Sequence, residues 1–233
     1  MIKISTYASS SLGNLYQISD GETKLLLECG LPIMGIKKHL NFKLSEISAC
    51  LLSHAHLDHA RSAQQIMDVG IDLFCSQETA TELKLSGHRL QIIQPLKQFQ
   101  VDTWTVLPLN GIHDVPVLNF LIVGRQGKKL LFLIDSAYSK YRFKDVNYIM
   151  LGINFDSDIL KKNVKAGRIH LGLAQRIIQS HMSLKTALQF FRDQDLSKVE
   201  EIHVIHCSEM NLDKDKAKEA IQRATGKLVI ILR

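Results

Sequence analysis

Leu51-Leu52-Ser53-His54-Ala55-His56-Leu57-Asp58-His59 decides how this chain is read. The apolar run from Ala49 to Leu52 has the character of a buried strand. It stops in three histidines and one aspartate. Four potential metal ligands at alternating and adjacent positions cannot all share one face of a strand or a helix. They belong on a turn at the strand's carboxyl end, where loops carry sites. Imidazole and carboxylate together suit zinc, and also manganese or iron. The alternative, solvated loop histidines, requires three histidines in six residues by chance.

The 233 residues suffice for one large domain with a full core, and 45% hydrophobic with 22% charged residues is ordinary for a soluble globular protein. The formal charge of +6 points toward an anionic partner such as nucleic acid, and equally toward simple solubility. Met1-Ile2-Lys3-Ile4 lacks the apolar core of a signal peptide, and no apolar run is long enough to span a bilayer. Cys29, Cys50, Cys75 and Cys207 have no CxxC spacing. Read as reduced packing residues, they indicate a cytoplasmic protein.

Outward from the histidines, Ile2 to Tyr7 reads as a strand running into a small polar loop, Ala8 to Asn14. Leu15 to Ile18 and Lys24 to Glu28 form a hairpin over Asp20-Gly21, and Ile33 to Leu40 a short helix. After the motif, Ala60 to Val69 has helical spacing, ended by Gly70. Strands are expected over 71–75, 89–93, 104–109, 117–123, 129–134, 148–153, 201–205 and 228–232. Helices are expected over 77–85 (Ser76 as N-cap), 159–164, 173–178, 184–191 (Ser183 as N-cap) and 214–225 (Asp213 as N-cap). No linker or composition break appears, so residues 1–233 are read as one α/β or α+β domain.

His54-x-His56-x-Asp58-His59 resembles the signature of the metallo-β-lactamase superfamily of binuclear metallohydrolases. The resemblance implies a four-layer αββα sandwich of two mixed β-sheets flanked by helices, with two metals at one edge. Three further segments narrow it. Ala8-Ser9-Ser10-Ser11-Leu12-Gly13-Asn14, Asn154-Phe155-Asp156 and Ser180-His181-Met182-Ser183 are similar to segments of the small WalJ/YycJ-type hydrolases. Ser10 and Ser180 stand here where that group has glycine. The group is regarded as nuclease-like.

The resemblance also carries over a ligand set. His113, on a loop after a strand and beside Gly111, would complete a three-histidine site with His54 and His56. Asp135 closes the apolar strand Leu130 to Ile134, where a buried charge needs a partner; a turn cap is the structural alternative, and the family places a metal-bridging aspartate there. His206 ends the strand before Cys207 and would join Asp58 and His59 at the second metal, while His203 points to the opposite face. Glu28 departs from the family, which has a supporting aspartate at this point. His181 precedes a helix N-terminus capped by Ser183, a natural phosphate site, and it could protonate a leaving oxygen. Asn154 is carried as a substrate contact.

The expectation is therefore a hydrolase with two divalent ions, zinc foremost. Asp58 would act in catalysis on a metal-bridging water, and the substrate would be a phosphodiester, in DNA or RNA. Cyclic-nucleotide phosphodiesterase, thioester or lactone hydrolase, and non-catalytic nucleotide binding are the alternatives. No membrane partner is expected, and a homodimer is left open.

Overall fold

The computed structural model describes residues 1–231. The chain divides into two compact units. The first comprises Met1–Asn110 and Leu118–Lys128, the second Gly111–Val117 and the chain from Lys129 onward. The crossing points fall at the ends of strands, with no Gly/Pro/Ser linker between the units.

In the first unit, β1 (Lys3–Ser10), β2 (Gly13–Ser19) and β3 (Lys24–Leu27) form an antiparallel meander. Helix α1 (Ile33–His39) leads to β4 (Ala49–Leu51), and α2 (Leu57–Ala60) and α3 (Ala63–Asp68) lead to β5 (Asp72–Cys75). Helix α4 (Gln77–Glu82) leads to β6 (Leu90–Ile92). Strands β3 to β6 are parallel, giving a mixed sheet in sequence order. Parallel neighbours need crossovers, which the helices supply. Leu25 to Leu27 and Ala49 to Leu51 are fully buried, as expected of strands covered on both faces. Strands β7 (Phe99–Val101), β8 (Trp104–Asn110) and β9 (Leu118–Val123) form a further antiparallel meander.

Three local readings change. The polar segment Ala8 to Asn14 is strand rather than loop, with Ala8 facing Leu15 and Ser9 facing Asn14 across a turn at Ser11-Leu12. Small polar side chains hide the signal because they lack strand propensity. The helix expected over 60–69 is broken: Ser62 N–H donates to the Cys29 carbonyl and its hydroxyl to the Leu31 carbonyl. Asp58 and His59 therefore sit on the helical turn α2, not on a loop. Strand β7 was not foreseen.

Cys29, Cys50 and Cys75 are free thiols inside a core of Leu26, Leu52, Ile66 and Leu73. Burial pushes the Cys75 thiol up to about 12, so it behaves as an apolar packing group.

The second unit holds parallel strands β10 (Lys129–Leu133), β11 (Tyr148–Gly152), β12 (Glu201–Ile205) and β13 (Leu228–Ile231). Helices α5 (Ser157–Lys165), α6 (Leu171–Ser180) and α7 (Leu184–Arg192) follow β11, and α8 (Lys214–Thr225) follows β12. Asp156, Ser183 and Asp213 accept backbone N–H groups at the starts of α5, α7 and α8. Gly226, at φ 66°, ends α8 in the left-handed conformation. Leu232 of the expected last strand lies outside the described residues. Among the described residues no helix is long and apolar enough to cross a membrane.

Candidate metal centre

Strand β4 leads into the first cluster of histidine and aspartate side chains, in the first unit. His54 and His59 are fully buried. His54 Nε2 lies 3.0 Å from His56 Nδ1, and its Nδ1 lies 2.8 Å from the Ser53 hydroxyl. The His54 and His59 rings stand 4.2 Å apart. His59 Nε2 lies 3.2 Å from Asp58 Oδ2.

Two residues outside the motif hold this turn. The Asn14 amide donates to the Asp58 carbonyl (3.1 Å) and reaches His59 Nε2 (3.3 Å), while its oxygen accepts from the Tyr16 hydroxyl (3.0 Å). Glu28, also fully buried, places Oε2 3.5 Å from His59 Nδ1 and accepts the Ser53 N–H at 3.5 Å. The longer glutamate thus reaches the histidine directly. Its Oε1 has no hydrogen-bond partner among the described residues. Gly30 makes the approach possible: a Cβ there would lie 1.7 Å from the Asp58 carbonyl oxygen.

The second unit brings together His113, Asp135, His181 and His206. Asp135, 2% exposed, has Oδ1 3.2 Å from His206 Nε2 and 3.8 Å from His181 Nε2. Its Oδ2 lies 3.9 Å from His113 Nε2. Ligand atoms of Asp135, His181 and His206 all fall within 4.8 Å of one another. The His113 and Asp135 segments are joined by Ser136, whose hydroxyl accepts the Ile112 N–H at 2.8 Å.

Hydrogen bonds place a proton on Nδ1 of two histidines. His113 Nδ1 faces the Ser180 carbonyl at 2.8 Å. A carbonyl only accepts, so Nδ1 carries a proton, while Nε2 lies 3.0 Å from Asp114 Oδ1. The Ser180 hydroxyl donates to the Arg176 carbonyl (2.7 Å), so it accepts from His181 Nδ1 at 2.8 Å. His181 Nε2 is then unprotonated in the neutral ring. Burial, with help from His113 and His206 and against Asp135, lowers the His181 pKa to about 4.

Three strand ends here carry left-handed backbone. Glu28, Asp135 and His206 adopt φ of 67°, 41° and 52° just beyond β3, β10 and β12. Non-glycine residues rarely occupy this region.

Residues 23–206 match the model of the Beta-lactamase superfamily domain. The chain belongs to that family. It is 23% identical to Exodeoxyribonuclease WalJ of Streptococcus pneumoniae serotype 2, over 92% of this chain and 85% of that protein. With Exodeoxyribonuclease YycJ of Bacillus anthracis the identity is 21%, over 95% and 88%. The crystal structure of the metallo-beta-lactamase fold protein YhfI from Bacillus subtilis matches with a TM-score of 0.77 and 15% identity, covering 100% of this chain and 97% of that one. The fold class read from the sequence, mixed α/β of the metallo-β-lactamase type, is the observed one.

In this β-lactamase superfamily member, histidine and aspartate side chains are positioned to bind metal ions. The donor chemistry fits: imidazole nitrogens with one buried carboxylate suit a divalent transition metal. The Ser180 carbonyl orients His113 through Nδ1, and the Glu28 carboxylate lies 3.5 Å from His59 Nδ1.

The remaining expected site residues fall as follows. Ser183 caps α7, accepting from Thr186 N–H at 3.0 Å, and Leu184 N–H donates to the Phe155 carbonyl. Two N–H groups of that helix start are thus engaged within the protein. Asn154 is buried and donates to the His206 carbonyl at 2.9 Å, which makes it a support of the His206 turn. His203 is bonded to Glu201 at 2.9 Å. The motif reading missed Asn14, Gly30 and Ser180. Asn14 lay in a segment already marked by its resemblance, which was the available signal.

Proposed function

We propose that the protein is a metal-dependent phosphodiesterase that acts as a nuclease on DNA or RNA. In this reading His54, His56 and His113 would hold one ion, Asp58, His59 and His206 would hold a second, and Asp135 would lend its carboxylate to the centre. The observation that supports it most is the cluster of Asp135 and His206, both buried, with half-buried His181, whose metal-binding atoms lie within 4.8 Å of one another. Two relatives named as exodeoxyribonucleases point to the same substrate class.

Divalent ions held there would neutralise phosphate charge and ease deprotonation of water. Asp58 orients the attacking water and takes up its proton. Asn14 and Glu28 keep Asp58 and His59 in place from behind. His181 faces the substrate side with an unprotonated Nε2. In this reading His181 would pass a proton to the leaving oxygen. The net charge of +6 favours an anionic substrate.

Zinc is the first candidate by donor chemistry, with manganese and iron as alternatives. The test combines elemental analysis of the purified protein with labelled single- and double-stranded DNA, RNA and cyclic nucleotides, each with zinc or manganese. Bound metal and metal-dependent cleavage of a nucleic acid are expected. Metal-replete protein that cleaves none of these substrates would overturn the reading.

A further inference from the structure

A cleft of about 430 Å³ opens beside His181 in the second unit. It lies between α5 and α6, over Phe155, and ends against His181, Ser183 and Thr186. This is the size of a small-molecule pocket. Its walls are mainly apolar: Leu160 and Val164 from α5, Leu171 and Ile178 from α6. Leu171 and Ile178 remain 60% and 56% exposed, an apolar lip that a ligand would cover. Polar groups sit among them. Gln175 offers an amide, Ser157 a hydroxyl, and Lys161 and Lys165 line one edge a helical turn apart.

From this arrangement we infer that the cleft binds the base and sugar of the terminal nucleotide of a nucleic-acid strand. The inference rests on the phosphodiesterase reading and deepens it. Three features select this occupant. The apolar walls suit the faces of a heteroaromatic ring. The amide and hydroxyl match ring-edge donors and acceptors, which an alkyl chain would leave unpaired. The two lysines complement the negative charge that accompanies a nucleotide and not a neutral ester. His181 is shared by the cleft wall and the Asp135 cluster, so a nucleoside seated here presents its phosphate toward that cluster. The cleft thereby makes cleavage depend on a strand end.

Gln175→Trp tests this, because Gln175 is exposed on α6 and the indole would fill the cleft without disturbing the core. Metal-replete wild type and variant are compared on single-stranded oligodeoxynucleotides with an intact terminal nucleotide or an abasic one, at either end. The intact end should react at least about tenfold faster in wild type, a difference of about 1.4 kcal/mol. Gln175→Trp should bring the ratio of the intact to the abasic rate toward one. Equal wild-type rates on both ends, or equal slowing of both by the variant, would overturn the inference.

Calorimetric binding of dAMP and AMP by metal-replete protein separates this inference from the reading it rests on. If no phosphodiester is cleaved but dAMP or AMP binds and Gln175→Trp weakens it, the catalytic reading fails and the cleft assignment stands. Tighter binding of dAMP than AMP would mark DNA as the source, and the reverse RNA. Failure of both to bind, or binding of decanoate in their place, overturns the cleft assignment.

Discussion

The side-chain amide of Asn14 donates to the backbone carbonyl of Asp58 over 3.1 Å, tying β2 to the helical turn that carries two of the proposed ligands. Asn14 is fully buried, so removing its side chain takes one donor from that carbonyl and one acceptor from the Tyr16 hydroxyl. Asn14→Ala should lower stability by about 1–3 kcal/mol. It should also weaken metal affinity by about 10- to 100-fold. Urea unfolding of metal-free protein and a competitive zinc titration measure the two separately.

Gly30 and Gly35 should respond in opposite directions to the same change. Gly30→Ala drives a methyl into the Asp58 carbonyl and should destabilise by about 1–3 kcal/mol or more. Gly35 lies inside α1, with the nearest atom to an added Cβ at 3.9 Å. Gly35→Ala should stabilise by about 0.5–1 kcal/mol. Thermal midpoints of the two variants decide it; a stable Gly30→Ala protein would show that the close approach is not obligatory.

Glu28 tests how the departure from aspartate works. The carboxylate reaches His59 Nδ1 at 3.5 Å, a distance a side chain one methylene shorter would lengthen. Glu28→Asp and Glu28→Gln should each fold and bind metal about tenfold more weakly than the wild type. Wild-type affinity in Glu28→Asp would mean that the extra methylene contributes nothing.

Asp58→Ala should abolish turnover, and Asp58→Asn should keep more metal than Asp58→Ala while remaining inactive. Assays at saturating metal distinguish loss of the proton acceptor from loss of the ion. Unchanged turnover in Asp58→Asn would remove Asp58 from the role proposed above.

Asp20 makes a pH-dependent contribution away from the site. Burial works to raise its pKa, but the Thr103 hydroxyl and the N–H groups of Thr23, Glu22 and Arg125 outweigh it and hold the carboxyl at about 2, against 3.8 ordinarily. The folded pKa is depressed, so the stabilisation is complete above the unfolded value and is lost as pH falls from about 4 toward 2. After allowance for nearby solvent it amounts to about 1–2 kcal/mol. The stability gap between wild type and Asp20→Asn, measured in urea, should be constant from pH 7 to 5 and narrow below pH 4. A gap that widens on acidification would contradict the assignment.

Much of this architecture was legible in the residues because its signals are local. The continuous apolar runs of β3, β4, β10 and β11, and the caps Ser76, Ser183 and Asp213, all stand where the chain announces them. What escaped depends on distant partners. The strand through Ala8 and Ser9 exists because β2 pairs with it, not because serine favours strands. The break at Ser62 is made by carbonyls of Cys29 and Leu31, some thirty positions upstream, which helical periodicity does not register. In the site, histidines and aspartates were visible as metal-ligand chemistry, whereas Asn14, Gly30 and Ser180 act through geometry. Asn154 illustrates the converse: its type suits a substrate contact, yet its amide is engaged by the His206 carbonyl.

The left-handed backbone at Glu28, Asp135 and His206 sets folding robustness against chemistry at three points along one chain. Residues held in that region carry about 1–3 kcal/mol of strain each, and glycine would relieve it. A metal-free Asp135→Gly protein should therefore tolerate heat or denaturant at least as well as its parent. Random variants screened for survival alone would drift toward inert molecules, losing these side chains before any buried leucine.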